Sequence, residues 1–256
     1  MFDLTHILYM LISGVITAIL LIVAAKRVKT QSGKDTILKL SAVVTVALHY
    51  SSLWVDYLTT GSAEVENNQL FPIYPCNIIM WLLLIAAYKK DRTDTLFTVL
   101  SEFLFWGGIV CGSIGIIFNI NYDNTPNLLD YDILKGLVSH STMLFGCIYT
   151  RVGGYMRFRV FNVVSCASGL TLFLVDGMLI NRIYKMFNLE PVNAMYLLES
   201  PFASMPWLSP IFMGVIGLGL LFAGLALYEL RFPKEERWYS KLKNYKNIMA
   251  KEGKGE

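Results

Sequence analysis

The sequence predicts an all-α polytopic membrane protein: a bundle of seven transmembrane helices, N-terminus outside and C-terminus cytoplasmic. Three observations carry that expectation. Of 256 residues, 55% are apolar and only 16% are charged, against about 25% charged in a soluble domain. The apolar residues gather in runs of about 20, the length that crosses roughly 30 Å of hydrocarbon at 1.5 Å per residue. Lys and Arg concentrate in alternate loops, as the positive-inside rule requires. A β-barrel would instead alternate polar and apolar residues along each segment.

The runs follow in order. The first, Ile7–Ala25, is preceded by Met1-Phe2-Asp3 and followed by Lys26-Arg27. With no basic residue before it, it reads as a retained helix, not a signal peptide. The second is Ile37–Tyr57. The third, Pro75–Tyr88, is short for a crossing and is expected to begin a few residues earlier. The fourth, Thr95–Phe118, carries Gly107, Gly108, Gly112 and Gly115, and the Gly108/Gly112 pair lets a neighbouring helix approach closely. The fifth is Ile133–Thr150, the sixth Val160–Ile180 and the seventh Pro210–Leu230. Residues 1–230 read as one transmembrane domain and 231–256 as a basic cytoplasmic tail. The repeat symmetry of secondary transporters is not visible.

Loop charges set the orientation. The first loop has Lys26, Arg27, Lys29 and Lys34, the third Lys89, Lys90 and Arg92, the fifth Arg151, Arg157 and Arg159. The second and fourth have carboxylates and no Lys or Arg. These cytoplasmic loops account for the net charge of +3, so nucleic acid is not called for as a partner. Two outer segments stand out. Asn119–Asp132 is expected to cap the outer surface. Asn181–Ser209, with Tyr184, Met186, Phe187, Tyr196, Leu197, Phe202 and Trp207, is too apolar to float in water. It reads as a lid over the outer mouth or as an interfacial helix. In the tail, Trp238, Tyr239 and Tyr245 interleave with Lys and Arg, which suits anionic headgroups.

Polar groups inside a membrane are costly and usually face an interior cavity. His49 falls about 12 Å below the outer end of the second helix, and His140 about 10 Å down the fifth. Cys76 and Asn77 open the third helix, Asp176 lies near the outer end of the sixth, and Asn119 caps the fourth. All belong to the outer half; the inner half offers Glu102 and Asn162. The cysteines, Cys76, Cys111, Cys147 and Cys166, lie in or at helices, with no spacing that suggests a disulfide or a metal site.

In "LFPIYPCNIIMWLLLIAAY", Pro75 suits the first helical position, which needs no N–H. Cys76 then lies in the first turn, where free amides and the helix dipole favour a thiolate. The other three cysteines are mid-helix. A histidine at the same depth, His140 in "VSHST", suits a base for that thiol. The plainer alternative is a small buried residue that starts a helix, beside a satisfied interior histidine.

The stretch "FPIYPCNIIMWLL" resembles the third-helix motif of YwaF-type bacterial integral membrane proteins. "LVSHSTMLFGCIY" resembles their histidine motif, and "NAMYLLESPFASMPWL" their last outer segment. The three occur in order over Phe71–Leu208. That family is related to the transmembrane protein 164 acyltransferases, which act on ether phospholipids. The resemblance implies an acyltransferase of the bacterial plasma membrane with Cys76 as nucleophile, holding the acyl chain as a thioester, and His140 as general base. Membrane phospholipids would be donor and acceptor, with no coenzyme A, other cofactor or metal. His49, Asn77, Asp176, Asn193 and Tyr196 would bind substrate. Many bacterial members carry a histidine shortly before the cysteine; Tyr74 and Pro75 stand there in this chain, and His49 is the residue available to substitute. Two other function classes compete: a small-solute transporter with His49, His140 and Asp176 as substrate or proton contacts, and a scaffold in which Cys76 is incidental.

Overall fold

Short polar side chains begin five of the helices. Asp3 accepts from the His6 amide at 2.8 Å, Thr30 from Gly33 at 3.2 Å and Asp94 from Phe97 at 2.7 Å. Asp130 accepts from Asp132 and Ile133, and Ser209 from Phe212. Each satisfies an amide that its helix cannot. The computed structural model describes residues 3–119, 122, 127–200 and 209–243. Its α-helices are α1 (Leu4–Arg27), α2 (Gln31–Thr60), α3 (Asn67–Leu70), α4 (Pro75–Tyr88), α5 (Thr95–Ile117), α6 (Tyr131–Val152), α7 (Asn162–Met186) and α8 (Pro210–Glu229).

Among the described residues, six segments are long and apolar enough to cross a membrane: α1, α2, Asn67–Tyr88, α5, α7 and α8. The protein is an all-helical membrane protein. The third segment does begin before Pro75, at Asn67, with α3 as its first turn. The fifth apolar run of the sequence is α6, with 22 residues and about 33 Å of length, and it is not among those six. It lies at the centre of the bundle.

Glycines bring α5 and α6 together in antiparallel register. A Cβ on Gly108 would lie 2.2 Å from the Cys147 sulfur, and one on Gly115 2.1 Å from the His140 ring. Only hydrogen fits at either place. On the other side of α6, Thr45 of α2 bonds Thr142 at 3.1 Å, and Ser41 packs against Gly146. Leu83 of α4 reaches the same Gly146, and Ile79 lies on Gly107 and Gly108. Helices α2, α4, α5 and α6 thus surround one core of Leu38, Ala42, Ile79, Leu83, Leu104, Met143 and Cys147. Helix α7 joins it through Phe103, whose ring fills the space that a Cβ on Gly169 would take. Helices α1 and α8 are peripheral, with only His6 and Ala24, and Leu225 and Glu229, buried. Their exposed apolar faces suit a lipid surround.

The basic end of the bundle is tied by side chains. Asp35 accepts from the Tyr155 hydroxyl at 2.6 Å and from Gln31 at 3.0 Å, and lies 3.6 Å from Arg92. Arg92 in turn donates to the carbonyls of Ala86 and Ala87 in the last turn of α4. Burial and the Asp35 carboxylate both push the Tyr155 phenol above its ordinary range. Glu229, 1% exposed, accepts the Val160 amide at 2.8 Å and the Trp238 amide at 2.7 Å. One carboxylate therefore joins the start of α7 to the chain after α8.

Of the long outer segment, residues up to Met186 continue α7, and Ala194–Tyr196 form one 3-10 turn. Ala194 and Met195 are buried against the bundle. Phe202, Trp207 and Tyr245 lie outside the described residues.

Candidate functional site

Pro75 does occupy the first position of α4, after an extended Tyr74. The Asn77 side chain accepts the Tyr74 amide at 3.0 Å, and the Asn77 amide donates to the Tyr74 carbonyl at 2.9 Å. This reciprocal pair closes the helix start and leaves Cys76 between its two members. Among the described residues, the Cys76 amide makes no backbone hydrogen bond. The amides of Cys76 and Asn77 both lie against the Cys76 sulfur. The thiol is half-buried, in electrostatic reach of Tyr74, Cys111 and Tyr196.

Tyr196 is held there by a strap. Its ring stacks on Tyr74 with centroids 5.6 Å apart and planes at 29°. The Met195 amide donates to the Ile73 carbonyl at 2.8 Å. Asn193 accepts from Leu198 and Glu199 and donates to the Glu199 carbonyl, which closes the turn. Asn181 of α7 bonds the amide and the carbonyl of Ala194, at 2.9 and 3.3 Å. Met195 and Tyr196 both adopt left-handed backbone, φ 54° and 55°, a conformation that costs a non-glycine residue about 1–3 kcal/mol. Between the strap and the α3–α4 corner lies a cleft of about 350 Å³, lined by Glu66, Asn67, Asn68, Tyr74, Asn193 and Tyr196 among others.

His140 forms the second half. Its Nδ1 lies 2.8 Å from the Gly136 carbonyl. A carbonyl only accepts, so Nδ1 carries the proton and Nε2 of the neutral ring keeps its lone pair. That edge of the ring rests on Gly115 of α5. His49 of α2, whose Nε2 donates to the Asn68 carbonyl at 3.2 Å, stands in electrostatic reach of His140 and of Lys135. Lys135 is itself paired with Asp132 at 2.8 Å.

The two halves share a level. Helices α4 and α6 run the same way and touch at Leu83 and Gly146. Cys76 lies seven residues before that contact and His140 six, about 10.5 Å and 9 Å along the axes. His140 also borders α5, at Gly115, and Cys76 is in electrostatic reach of Cys111 on the same helix. Among the described residues, no hydrogen bond joins the sulfur to the imidazole. Asp176 stands apart on α7: among the described residues its buried Oδ2 has no hydrogen-bond partner, and it lies one residue before Gly177, which packs against Met195 and Leu197.

A thiol against open first-turn amides, and an imidazole with a free lone pair at the same height, are the parts of acyl-transfer chemistry. Compared with known families, the sequence matches the TMEM164 family over residues 1–228. The chain belongs to the TMEM164 family. No curated protein and no solved structure matches it. The matched region of this TMEM164 family member contains all three motifs that carried the resemblance, Phe71–Leu208.

Four contributors carried no site role in the sequence. Tyr74, Cys111, Gly115 and Asn181 each act through a neighbour distant in the chain. Gly115 had a signal, since it continues the Gly108/Gly112 face of α5. Asn181 had none, being the first residue of what read as a loop.

Proposed function

We propose that this TMEM164 family member is a membrane-embedded acyltransferase. It moves a fatty acyl chain between phospholipids through a thioester on Cys76, with His140 as general base. In this reading the N-terminus is outside and the C-terminus cytoplasmic, so the site belongs to the outer half of a bacterial plasma membrane. The observation that supports it best is the placement of Cys76: second residue of α4, its sulfur against two first-turn amides. An ester carbonyl lies just below the headgroups, at about that depth.

The sulfur attacks the ester carbonyl of a phospholipid. An S–C bond forms, the ester C–O bond breaks, and the lysophospholipid leaves. His140 Nε2 takes the thiol proton through a lipid hydroxyl or a water lying between them, which accepts the thiol proton and gives its own to Nε2, and returns it to the departing glycerol oxygen. In the second half His140 removes the proton of an acceptor lysophospholipid hydroxyl, which attacks the thioester and frees the thiol. No coenzyme A is needed. Water in place of the acceptor would make the same machinery a lipid hydrolase. His49, Asn77, Asn193 and Tyr196 would bind the substrate, and Asn193, which lines the cleft, would meet its headgroup.

The test uses purified protein with a fluorescent phospholipid and a lysophospholipid. The expected result is acyl transfer together with an acyl adduct on Cys76 by mass spectrometry, both lost in Cys76→Ala. Equal behaviour of wild type and Cys76→Ala refutes the reading. Loss with His140→Ala but not with Cys76→Ala indicates direct hydrolysis without a covalent step. A transporter reading draws support from the unpartnered Asp176 oxygen and the His49–His140 pair. It predicts solute or proton flux in vesicles that Asp176→Asn abolishes and Cys76→Ala spares.

A further inference from the structure

We propose that the Tyr196 hydroxyl and the Cys76 backbone N–H form a two-donor oxyanion site for acyl transfer at Cys76. The inference rests on the acyltransferase reading and adds to it the groups that stabilise its tetrahedral intermediate.

When the sulfur attacks an ester, the carbonyl electron pair moves to oxygen. That oxyanion forms within a bond length or two of the sulfur and needs donors already in place. The Cys76 amide is one: it lies at the sulfur and makes no backbone bond among the described residues. A single amide is a meagre site, and a second donor must come from another element. The Asn77 side chain belongs to the same helix start as Cys76, where its oxygen accepts the Tyr74 amide. The cysteines on α5 are poor donors. Tyr196 remains. Its ring stacks on Tyr74 at the helix start, it lines the cleft between the strap and the α3–α4 corner together with Tyr74, and its phenol is in electrostatic reach of Cys76.

Three features show that Tyr196 is placed, not merely tolerated. Two consecutive residues, Met195 and Tyr196, hold left-handed backbone without glycine. The turn that bears them is clamped by Asn181 on both sides of Ala194 and by the Met195–Ile73 bond. Ala194 is fully buried and Met195 nearly so, which makes the strap a rigid mount. Burial first, then Cys76, Tyr74 and Cys111, raise the Tyr196 phenol above its ordinary range. It therefore keeps the proton it has to donate.

The chemistry separates cleanly. Acylation by p-nitrophenyl decanoate passes through the oxyanion, and its leaving group needs no proton from His140. Alkylation by iodoacetamide displaces iodide and forms no oxyanion. Tyr196→Phe keeps the ring on Tyr74 and removes only the hydroxyl. In the full-length protein it is expected to slow Cys76 acylation by about 10²-fold and to leave alkylation unchanged, both read as mass added to Cys76. Acylation at the wild-type rate overturns the proposal. So does a parallel fall in both reactions, which assigns Tyr196 a packing role only. Wild-type protein that alkylates but is not acylated by the activated ester also overturns it. If wild type accepts the activated ester but no phospholipid, the phospholipid transferase reading fails, and the Tyr196→Phe comparison still decides the oxyanion site.

Discussion

Gly115→Ala tests whether His140 works from where α5 places it. The added methyl would begin 2.1 Å from Cδ2 and 2.3 Å from Nε2 of the imidazole. To reach the 3.4 Å of ordinary contact, the ring must retreat by about 1.3 Å. Its Nδ1 bond to Gly136 lies along its own helix, so the ring can only swing at the expense of that bond or push α6 away. Overpacking of this size costs about 1–3 kcal/mol, and a misplacement of about 1 Å can cost 10²-fold in rate. The control is Gly112→Ala, whose methyl would meet Leu144 Cβ at 3.0 Å and displaces no polar group. Both variants are expected to lower thermal stability in detergent. Gly115→Ala alone should slow transfer to a lysophospholipid by about 10²-fold, read as lifetime of the Cys76 adduct after acceptor is added. Equal adduct lifetimes in the two variants would refute a role for His140 at that position.

Other outcomes follow from the same contacts. Glu229→Ala leaves the buried Val160 and Trp238 amides unpaired and should cost about 3 kcal/mol, measured as a lowered thermal midpoint and faster proteolysis after Leu230. Asn181→Ala frees Ala194 from α7 and is expected to raise proteolysis within 190–200 while slowing acylation as Tyr196→Phe does. Asp94, at the start of α5, is held below the usual carboxylate range by Lys89 and the Phe97 amide. Its stabilisation is present above the unfolded carboxylate range and is lost as pH falls through its lower folded value. Thermal midpoints followed from pH 6 to pH 3 should therefore drop less in Asp94→Asn than in wild type.

The membrane class and six apolar crossings were legible because lipid imposes length and composition on each helix independently. The start of α4 was legible for a related reason. Proline at the first position and a side-chain acceptor two residues later are local signals, and both are met within Tyr74–Asn77. The strap was not. Asn181 read as the first loop residue because "NRIYK" is polar and charged, yet α7 continues through it, and its amide side chain is what pins Ala194. The left-handed Met195 and Tyr196 carry no sequence mark either, since neither is glycine or asparagine. They are held by burial and by a carbonyl 122 residues away in the chain, that of Ile73. His49 was legible as a buried polar residue but not its partner, a backbone carbonyl of α3.

The missing bond between Cys76 and His140 has a geometric reading. Among the described residues no hydrogen bond joins the sulfur to the imidazole, whose Nε2 edge rests on Gly115. A reacting sulfur stands about 3–3.5 Å from a carbonyl carbon, and a base about 2.6–3.2 Å from the oxygen it serves, so a lipid bound between two unpaired groups can engage both. The thiol should then be activated only when lipid fills the gap. Without lipid, iodoacetamide should alkylate Cys76 at the same rate in wild type and His140→Ala. With a non-hydrolysable ether phospholipid bearing a free hydroxyl, wild type should alkylate faster and His140→Ala should not. A His140 effect on alkylation in lipid-free detergent would mean that the imidazole already reaches the sulfur, and that the gap is no part of the mechanism.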